Sequence, residues 1–304
     1  MSFNRLVIIG IGLIGGSLGA ALKKRSACSE VIGIARREET CVRAKELGIV
    51  DRAYTDLADI AGELGEGDVI FVSVPTLAVA TWLQTIKDLL PDTVTITDGA
   101  SVKGNVVKAA ESVWGELPSN LVPGHPIAGS EKSGVNAANP DLYVNHRIIL
   151  TPSENTDSAH YDRVEGMWLA TDAEVLSMPV DEHDVVLAAT SHLPHVLAYS
   201  LVDTLAHDAE NENIFRYAAG GFRDFTRIAS SDPVMWHDIM SANREEIVKS
   251  IDLFAANLSK LREMIDEDRS GDILELFKRA KFARDEFAEL LNQKQWVKPE
   301  ERED

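Results

Sequence analysis

Apolar and polar positions follow two rhythms in the first half of the chain. Short β-rich runs at 5–9, 31–35, 69–74 and 93–97 are each followed by a stretch of helical period, at 15–24, 38–47, 78–90 and 103–114. The run at 69–74 is apolar without interruption, as a strand buried on both faces must be. Residues 121–122, 147–150 and 174–178 predict further short strands, and 161–170 a further helix. This alternation predicts an α/β, Rossmann-type doubly wound parallel sheet. After Pro179 the rhythm changes. Residues 184–207, 214–217, 233–262 and 272–291 carry mainly helical periodicity, with no further strand signal. The expected domains are therefore 1–179, α/β, and 180–304, all-helical. The helices at 185–205 and 247–261 are apolar over much of their surface, which predicts extensive helix–helix burial.

Composition narrows the function classes. The chain has 304 residues and a formal net charge of -19, opposite in sign to what nucleic-acid binding needs. Cys28 and Cys41 fall in no metal or redox spacing and make no disulfide framework. The N-terminus runs straight into a strand without a basic region and cleavage site. The apolar stretch 6–16 is too short and glycine-rich to span a membrane. A cytoplasmic protein is expected, with neither nucleic acid nor membrane as partner.

Gly10-Ile11-Gly12-Leu13-Ile14-Gly15 stands between the first strand and the first helix. There a glycine permits the tight turn, another lets backbone approach a pyrophosphate, and a third allows close helix–strand packing. The helix N-terminus then offers N–H groups and a positive dipole end to phosphate. Gly10, Gly12, Leu13, Ile14 and Gly15 are thus the expected cofactor-binding residues. An acid that holds the ribose 2′-hydroxyl of NAD would be expected about 20 residues on; Ala35 stands near that place, followed by Arg36 and Arg37. Two arginines suit a 2′-phosphate, so NADP is favoured slightly over NAD.

Two later stretches carry chemistry. Residues 124–134 begin Gly124-His125-Pro126 and are rich in glycine, which predicts a shaped loop that holds one histidine. Histidine moves protons near neutrality. Ser101, after the strand at 93–97, is expected to cap the next helix at the carboxyl edge of the sheet, where open α/β folds bind ligands. Ser101 does not stand in a Gly-x-Ser-x-Gly elbow, so a serine that orients a histidine base fits better than a nucleophile.

With these pieces, the segments 191–195 (Ser-His-Leu-Pro-His), 220–227 (Gly-Gly-Phe-Arg-Asp-Phe-Thr-Arg) and 231–236 complete a pattern across residues 5–290. The chain resembles the prephenate dehydrogenase family of tyrosine biosynthesis, which includes arogenate and cyclohexadienyl dehydrogenases. The resemblance implies a Rossmann domain followed by an all-helical substrate-binding and dimerisation domain, and hence a homodimer. It implies oxidative decarboxylation of prephenate to 4-hydroxyphenylpyruvate, with hydride transfer to NAD or NADP. His125 then matches the catalytic base and Ser101 the group that hydrogen-bonds both substrate hydroxyl and base. Arg227 matches the clamp for the ring carboxylate, and His195 a contact near the pyruvyl side chain, with His192 close by. Arg223 and Asp224 match an ionic pair at the site entrance, where many relatives carry lysine in place of the arginine. Ser130 and Glu131 match side-chain or inhibitor contacts.

Plainer readings stand beside these. His192 and His195 have the spacing of a metal pair, but Pro194 disturbs the helix between them and no third ligand is spaced for zinc, so no metal is expected. His146, His160, His183, His207 and His237 lack motif support and read as surface or structural. Trp236 reads more readily as core than as a site wall. Arogenate or dual specificity is the nearest rival, since Glu131 suits an ammonium. A β-hydroxyacid dehydrogenase would need a catalytic lysine motif in the helical half, which is not found. A non-catalytic dinucleotide sensor would bind cofactor without turnover. No added chorismate mutase segment and no regulatory domain are expected, so tyrosine inhibition would act at or near the site.

Overall fold

The computed structural model describes residues 3–130, 132–207 and 214–293. The chain opens with β1 (Arg5–Ile9), α1 (Leu13–Lys24), β2 (Glu30–Ile34), α2 (Glu38–Glu46) and β3 (Arg52–Tyr54). It continues through β4 (Val69–Val72), α3 (Val79–Leu89), β5 (Thr95–Asp98), α4 (Lys103–Trp114) and β6 (Leu121–Val122). These six strands form one parallel sheet in the order β3-β2-β1-β4-β5-β6.

The apolar run of each central strand explains the two layers of helices. In β1, Leu6 and Ile8 pack into one core with Leu18 and Leu22 of α1 and Ala44 of α2, whereas Val7 and Ile9 pack into the other with Leu83 of α3 and Val106 of α4. In β4, Val69 and Phe71 join the first core, Ile70 and Val72 the second. Each such buried side chain contributes about 1.5–3 kcal/mol relative to exposure. The strand order reverses between β1 and β4, so their carboxyl ends open a crevice.

β3 is absent from the sequence expectation because its three residues, Arg-Ala-Tyr, carry no alternation and sit half-buried at the sheet edge. Arg52 holds this edge through paired hydrogen bonds to Glu30, at 2.7 and 3.0 Å, and to Glu63.

A second, three-stranded sheet follows, with β7 (Gly124–Ile127), β8 (Arg147–Leu150) and β9 (Glu174–Ser177) in the order β7-β8-β9, and α5 (Ser158–Leu169) between the last two strands. The loop expected over 124–134 is therefore corrected at its start: 124–127 is a strand, antiparallel to β8, with His125 opposite Ile149. Pro126 is accommodated because β7 lies at an edge, where a missing N–H leaves no ladder bond unmade.

The helical half begins with α6 (Val180–Leu187), a π-helical turn at Ala188–His192 and α7 (Leu193–Ala206), one unbroken helical run. A short 3-10 turn at Ile214–Tyr217 precedes α8 (Gly220–Thr226), a second at Arg227–Ser230 precedes α9 (Pro233–Ala242), and α10 (Arg244–Asp266) and α11 (Ser270–Gln293) follow. The helix expected over 233–262 is interrupted at Asn243, whose side chain instead binds the carbonyl of Asp184 at 2.9 Å. The chain divides into two compact units, Met1–Arg244 and Glu245–Asp304. In the second, Leu253, Leu258, Phe277 and Phe282 are exposed on α10 and α11.

Candidate active site

A cavity of about 440 Å³ opens at the crevice between β1 and β4. Gly12, Leu13 and Ile14 line it from the start of α1, Ser73–Thr76 follow β4, and Gly99, Ala100 and Ser101 follow β5. His125, Pro126 and Ala128 also line it, with Ser191 and His192 of the π turn and Ser231, Asp232, Val234, Met235, Trp236 and Ile239 at α9.

The glycine fingerprint has the geometry a dinucleotide needs. Gly10 has φ +97°, and a Cβ there would lie 2.2 Å from the carbonyl oxygen of Ser73. A Cβ on Gly15 would lie 2.4 Å from the carbonyl oxygen of Gly10. Gly12 differs: nothing lies within 4 Å of its virtual Cβ, so the backbone there is open to a close-approaching group. No acidic residue stands in the first turn of α1 to repel phosphate. The residues present thus fit a dinucleotide pyrophosphate. Ala35 is buried, and Arg36 and Arg37 are exposed at the end of β2.

His125 is held from below and behind. Asp98, at the end of β5, accepts from the N–H of Ala100 at 2.8 Å and of Gly124 at 3.2 Å, and forms a fully buried ion pair with Lys103. The Lys103 ammonium also donates to the carbonyl of Gly124 at 2.6 Å, so the residue before His125 is pinned at both its backbone groups. Burial pushes the imidazole of His125 well below the ordinary histidine range, and His183, Lys103 and His192 push it the same way. It is neutral at pH 7, with a lone pair available for a proton.

Among the described residues the hydrogen-bond partner of its ring is His183, not Ser101. His125 Nδ1 lies 2.9 Å from Nε2 of His183, and His183 Nδ1 lies 2.7 Å from Oδ1 of Asp184. His183, expected to be surface or structural, is fully buried against the candidate base. The expected cap is corrected too. Val102, not Ser101, is the N-cap residue of α4, without a side-chain bond; Asp184 supplies the cap from α6, accepting from the N–H of Lys103 and Gly104 at 2.9 and 2.8 Å. Ser101 remains on the cavity wall, free of that task.

The remaining candidates gather on one side. His192 is buried, lines the cavity, and meets the amide of Asn243 at 3.2 Å; burial lowers its imidazole to about 4. His195 lies one turn on in α7, with Nδ1 2.9 Å from the carbonyl of Ser191, and stacks on Trp236. Trp236 is therefore both core and site wall, a double role that an isolated aromatic in a sequence does not reveal. Burial and then Arg227 act to lower the His195 imidazole, against the Ser191 carbonyl, so Arg227 lies within electrostatic reach of it. Arg227 itself is exposed and does not line the cavity. Arg223 and Asp224 pair at 3.1 Å with side chains 81% and 72% exposed. Ser130 lines the cavity rim and accepts from the N–H of Lys132 at 3.2 Å. Glu131 lies outside the described residues.

The arrangement joins a dinucleotide cradle, a neutral buried imidazole and a hydroxyl on one cavity, which suits hydride transfer coupled to proton transfer. Residues 18–177 match the family model described as prephenate dehydrogenase, nucleotide-binding domain, and residues 179–279 that described as prephenate dehydrogenase, dimerization domain. The chain is 37% identical over 291 residues to a prephenate dehydrogenase of Bacillus subtilis (strain 168), covering 93% of this chain and 76% of the relative. It is 35% identical over 285 residues to a cyclohexadienyl dehydrogenase of Zymomonas mobilis, covering 93% of this chain and 95% of that one. Among solved structures, it is similar to a prephenate dehydrogenase from A. aeolicus in complex with hydroxyphenyl propionate and NAD+, with a TM-score of 0.88 and 36% identity over 94% of this chain and 99% of that one.

Proposed function

The chain belongs to the prephenate dehydrogenase family, and from that premise we propose that it oxidatively decarboxylates prephenate to 4-hydroxyphenylpyruvate. The observation that carries this reading is the shared cavity: Gly12–Ile14, Ser101 and His125 face it together at the sheet's carboxyl edge.

When bound, NAD(P) would supply the hydride acceptor; Gly12, Leu13 and Ile14 would hold it at the cavity, in the turn that Gly10 and Gly15 shape by their close packing. As hydride leaves ring C4, the C1–carboxylate bond breaks, CO2 departs, and its electron pair completes the aromatic ring. Carbonyl character grows at the C4 oxygen during this step. His125, neutral through burial, draws on the hydroxyl proton there, and the phenol recovers a proton afterwards. Such positioned proton transfer contributes about 10²–10⁴-fold. Ser101 donates to or accepts from the same hydroxyl. Arg227 meets a substrate carboxylate, for which a guanidinium fork is suited. His195, His192 and Ser130 shape the side-chain end; Arg223 and Asp224 stand at the entrance. The apolar exposed side chains Val185 and Val186 on α6, and those of α10 and α11, are covered in a homodimer. The dinucleotide-binding part is 1–179 and the substrate-binding and dimerisation part 180–304, in a cytoplasmic enzyme.

Arg36 and Arg37, exposed after a buried Ala35, support acceptance of NADP with a slight preference over NAD. The likeness to a cyclohexadienyl dehydrogenase supports a second reading in which arogenate is also turned over. A steady-state matrix of prephenate and arogenate against NAD and NADP tests all of this. Turnover of prephenate with either cofactor supports the main reading, exclusive turnover of arogenate replaces it, and a strong NAD preference removes the reading of the arginines.

A further inference from the structure

The buried chain Asp184–His183–His125 has a direction. Asp184 accepts two backbone N–H groups from the start of α4 and a third hydrogen from His183. Burial pushes its carboxyl up, but those bonds outweigh burial and hold it below the usual carboxylate range, so it is ionised and can only accept. The hydrogen between Asp184 and His183 therefore sits on His183 Nδ1. Burial lowers the His183 imidazole, partly offset by Asp184, so the ring is neutral and its Nε2 carries a lone pair. The hydrogen between the two imidazoles must then sit on Nδ1 of His125. That leaves Nε2 of His125, the ring nitrogen not engaged by His183, as the basic atom.

We propose that His183 and Asp184 are positioning residues that fix His125 in the Nδ1–H tautomer, with Nε2 poised to take the substrate hydroxyl proton. This rests on the reading of His125 as the base. The same carboxylate holds the N-terminus of α4, two residues after Ser101, so one group bears on the proton of the base and on the segment that carries the Ser101 hydroxyl to the same cavity. The charged and titratable groups facing the two imidazoles are Lys103 of α4, Asp98 of β5, Asp184 of α6 and His192 of the π turn. The Lys103–Asp98 pair is internally neutralised and His192 is neutral above about 4, so Asp184 is the charge that orders the relay.

The test reads tautomers as well as rates. With the full-length protein labelled at the imidazole nitrogens with ¹⁵N, two-bond correlation spectra at pH 7 report which nitrogen of His125 carries hydrogen, and His125→Asn assigns the signal. The expected result is hydrogen on Nδ1. Hydrogen on Nε2 overturns the proposal, whether or not any variant folds. His183→Phe, which offers no acceptor, should lower kcat about 10²-fold or more with KM and cofactor Kd nearly unchanged. His183→Gln, whose amide oxygen can still accept from His125 Nδ1, should recover a large part of the loss. Wild-type kcat in His183→Phe also overturns the proposal. A wild-type protein that shows the Nδ1–H tautomer but no turnover of any cyclohexadienyl substrate would instead sink the functional reading, and with it the role of Nε2 as base, while the tautomer relay from Asp184 through His183 would stand.

Discussion

The indole of Trp236 lies flat against the imidazole of His195, with ring centroids 3.6 Å apart and planes 21° from parallel. Trp236 belongs to a small core with Val102 and Ile239, so the stack ties a residue of α7 to the wall of the cavity. Its Nε1–H is buried without a hydrogen-bond partner among the described residues. Trp236→Ala should lower stability by roughly 3–5 kcal/mol and raise KM through loss of the His195 orientation. Trp236→Phe keeps a ring to stack on and should preserve most of the stability. Chemical denaturation and steady-state kinetics on both variants check this; equal KM in the two variants would break the link between stack and substrate.

Base and clamp separate kinetically. His125→Asn should reduce kcat about 10²–10⁴-fold with nearly unchanged cofactor Kd, since His125 stands on β7 and is not part of the glycine turn before α1. Arg227→Ala should chiefly raise KM, because an exposed guanidinium takes little part in the fold. Near-normal kcat in the first, or a kcat loss without KM change in the second, reverses the assignments.

The glycines divide into folding and binding positions. Gly15→Ala places a methyl 2.4 Å from a backbone oxygen and should lower Tm. Gly12→Ala meets nothing within 4 Å, so Tm of the cofactor-free protein should hold while NAD(P) affinity falls about tenfold or more. Thermal melts with and without cofactor distinguish the two.

Acid should unfold this protein through its buried imidazoles. The folded pKa of His192 is lowered from 6.5 to about 4, so between those values the unfolded chain binds a proton that the folded chain refuses. Stability from this group is therefore complete above pH 6.5 and lost as pH falls toward about 4, at up to about 1.4 kcal/mol per pH unit. His125 and His183 act in the same direction. Denaturant midpoints from pH 7 down to 4 should fall more steeply for the wild type than for His192→Asn. For activity, protonated His125 is the inactive form, so the acid limb of kcat/KM should lie below the ordinary histidine range.

The parallel sheet was legible because β1 and β4 bury alternate residues in two separate cores, and strands with that duty are apolar throughout. The fingerprint was legible because turn, approach and packing each demand glycine at a set spacing. Less of the base's surroundings could be read. His125 and His183 are 58 residues apart and meet only once α6 folds against α4. Nothing in the dipeptide His183-Asp184 reports that contact. Ser101 misled as a cap because the real one, Asp184, arrives from 81 residues away along the chain. The strand at Gly124–Ile127 was hidden by Gly124 and Pro126, residues that an edge position and a buried ion pair below it make tolerable.

The π turn at Ala188–His192 gives the helix a register offset. One residue in an α-helix turns the chain by about 100° and advances it about 1.5 Å. A wider turn therefore absorbs a residue that regular winding would have spent rotating everything after it. Ser191 and His192 reach the cavity from within that turn while His195 still meets Trp236 beyond it. Deleting one residue here would leave a helix of ordinary pitch whose following face, with His195, keeps its direction, but Ser191 and His192 would lose the bulged placement that brings both to the cavity. At this segment, helical regularity and active-site geometry are competing demands, and the sequence has settled for the second.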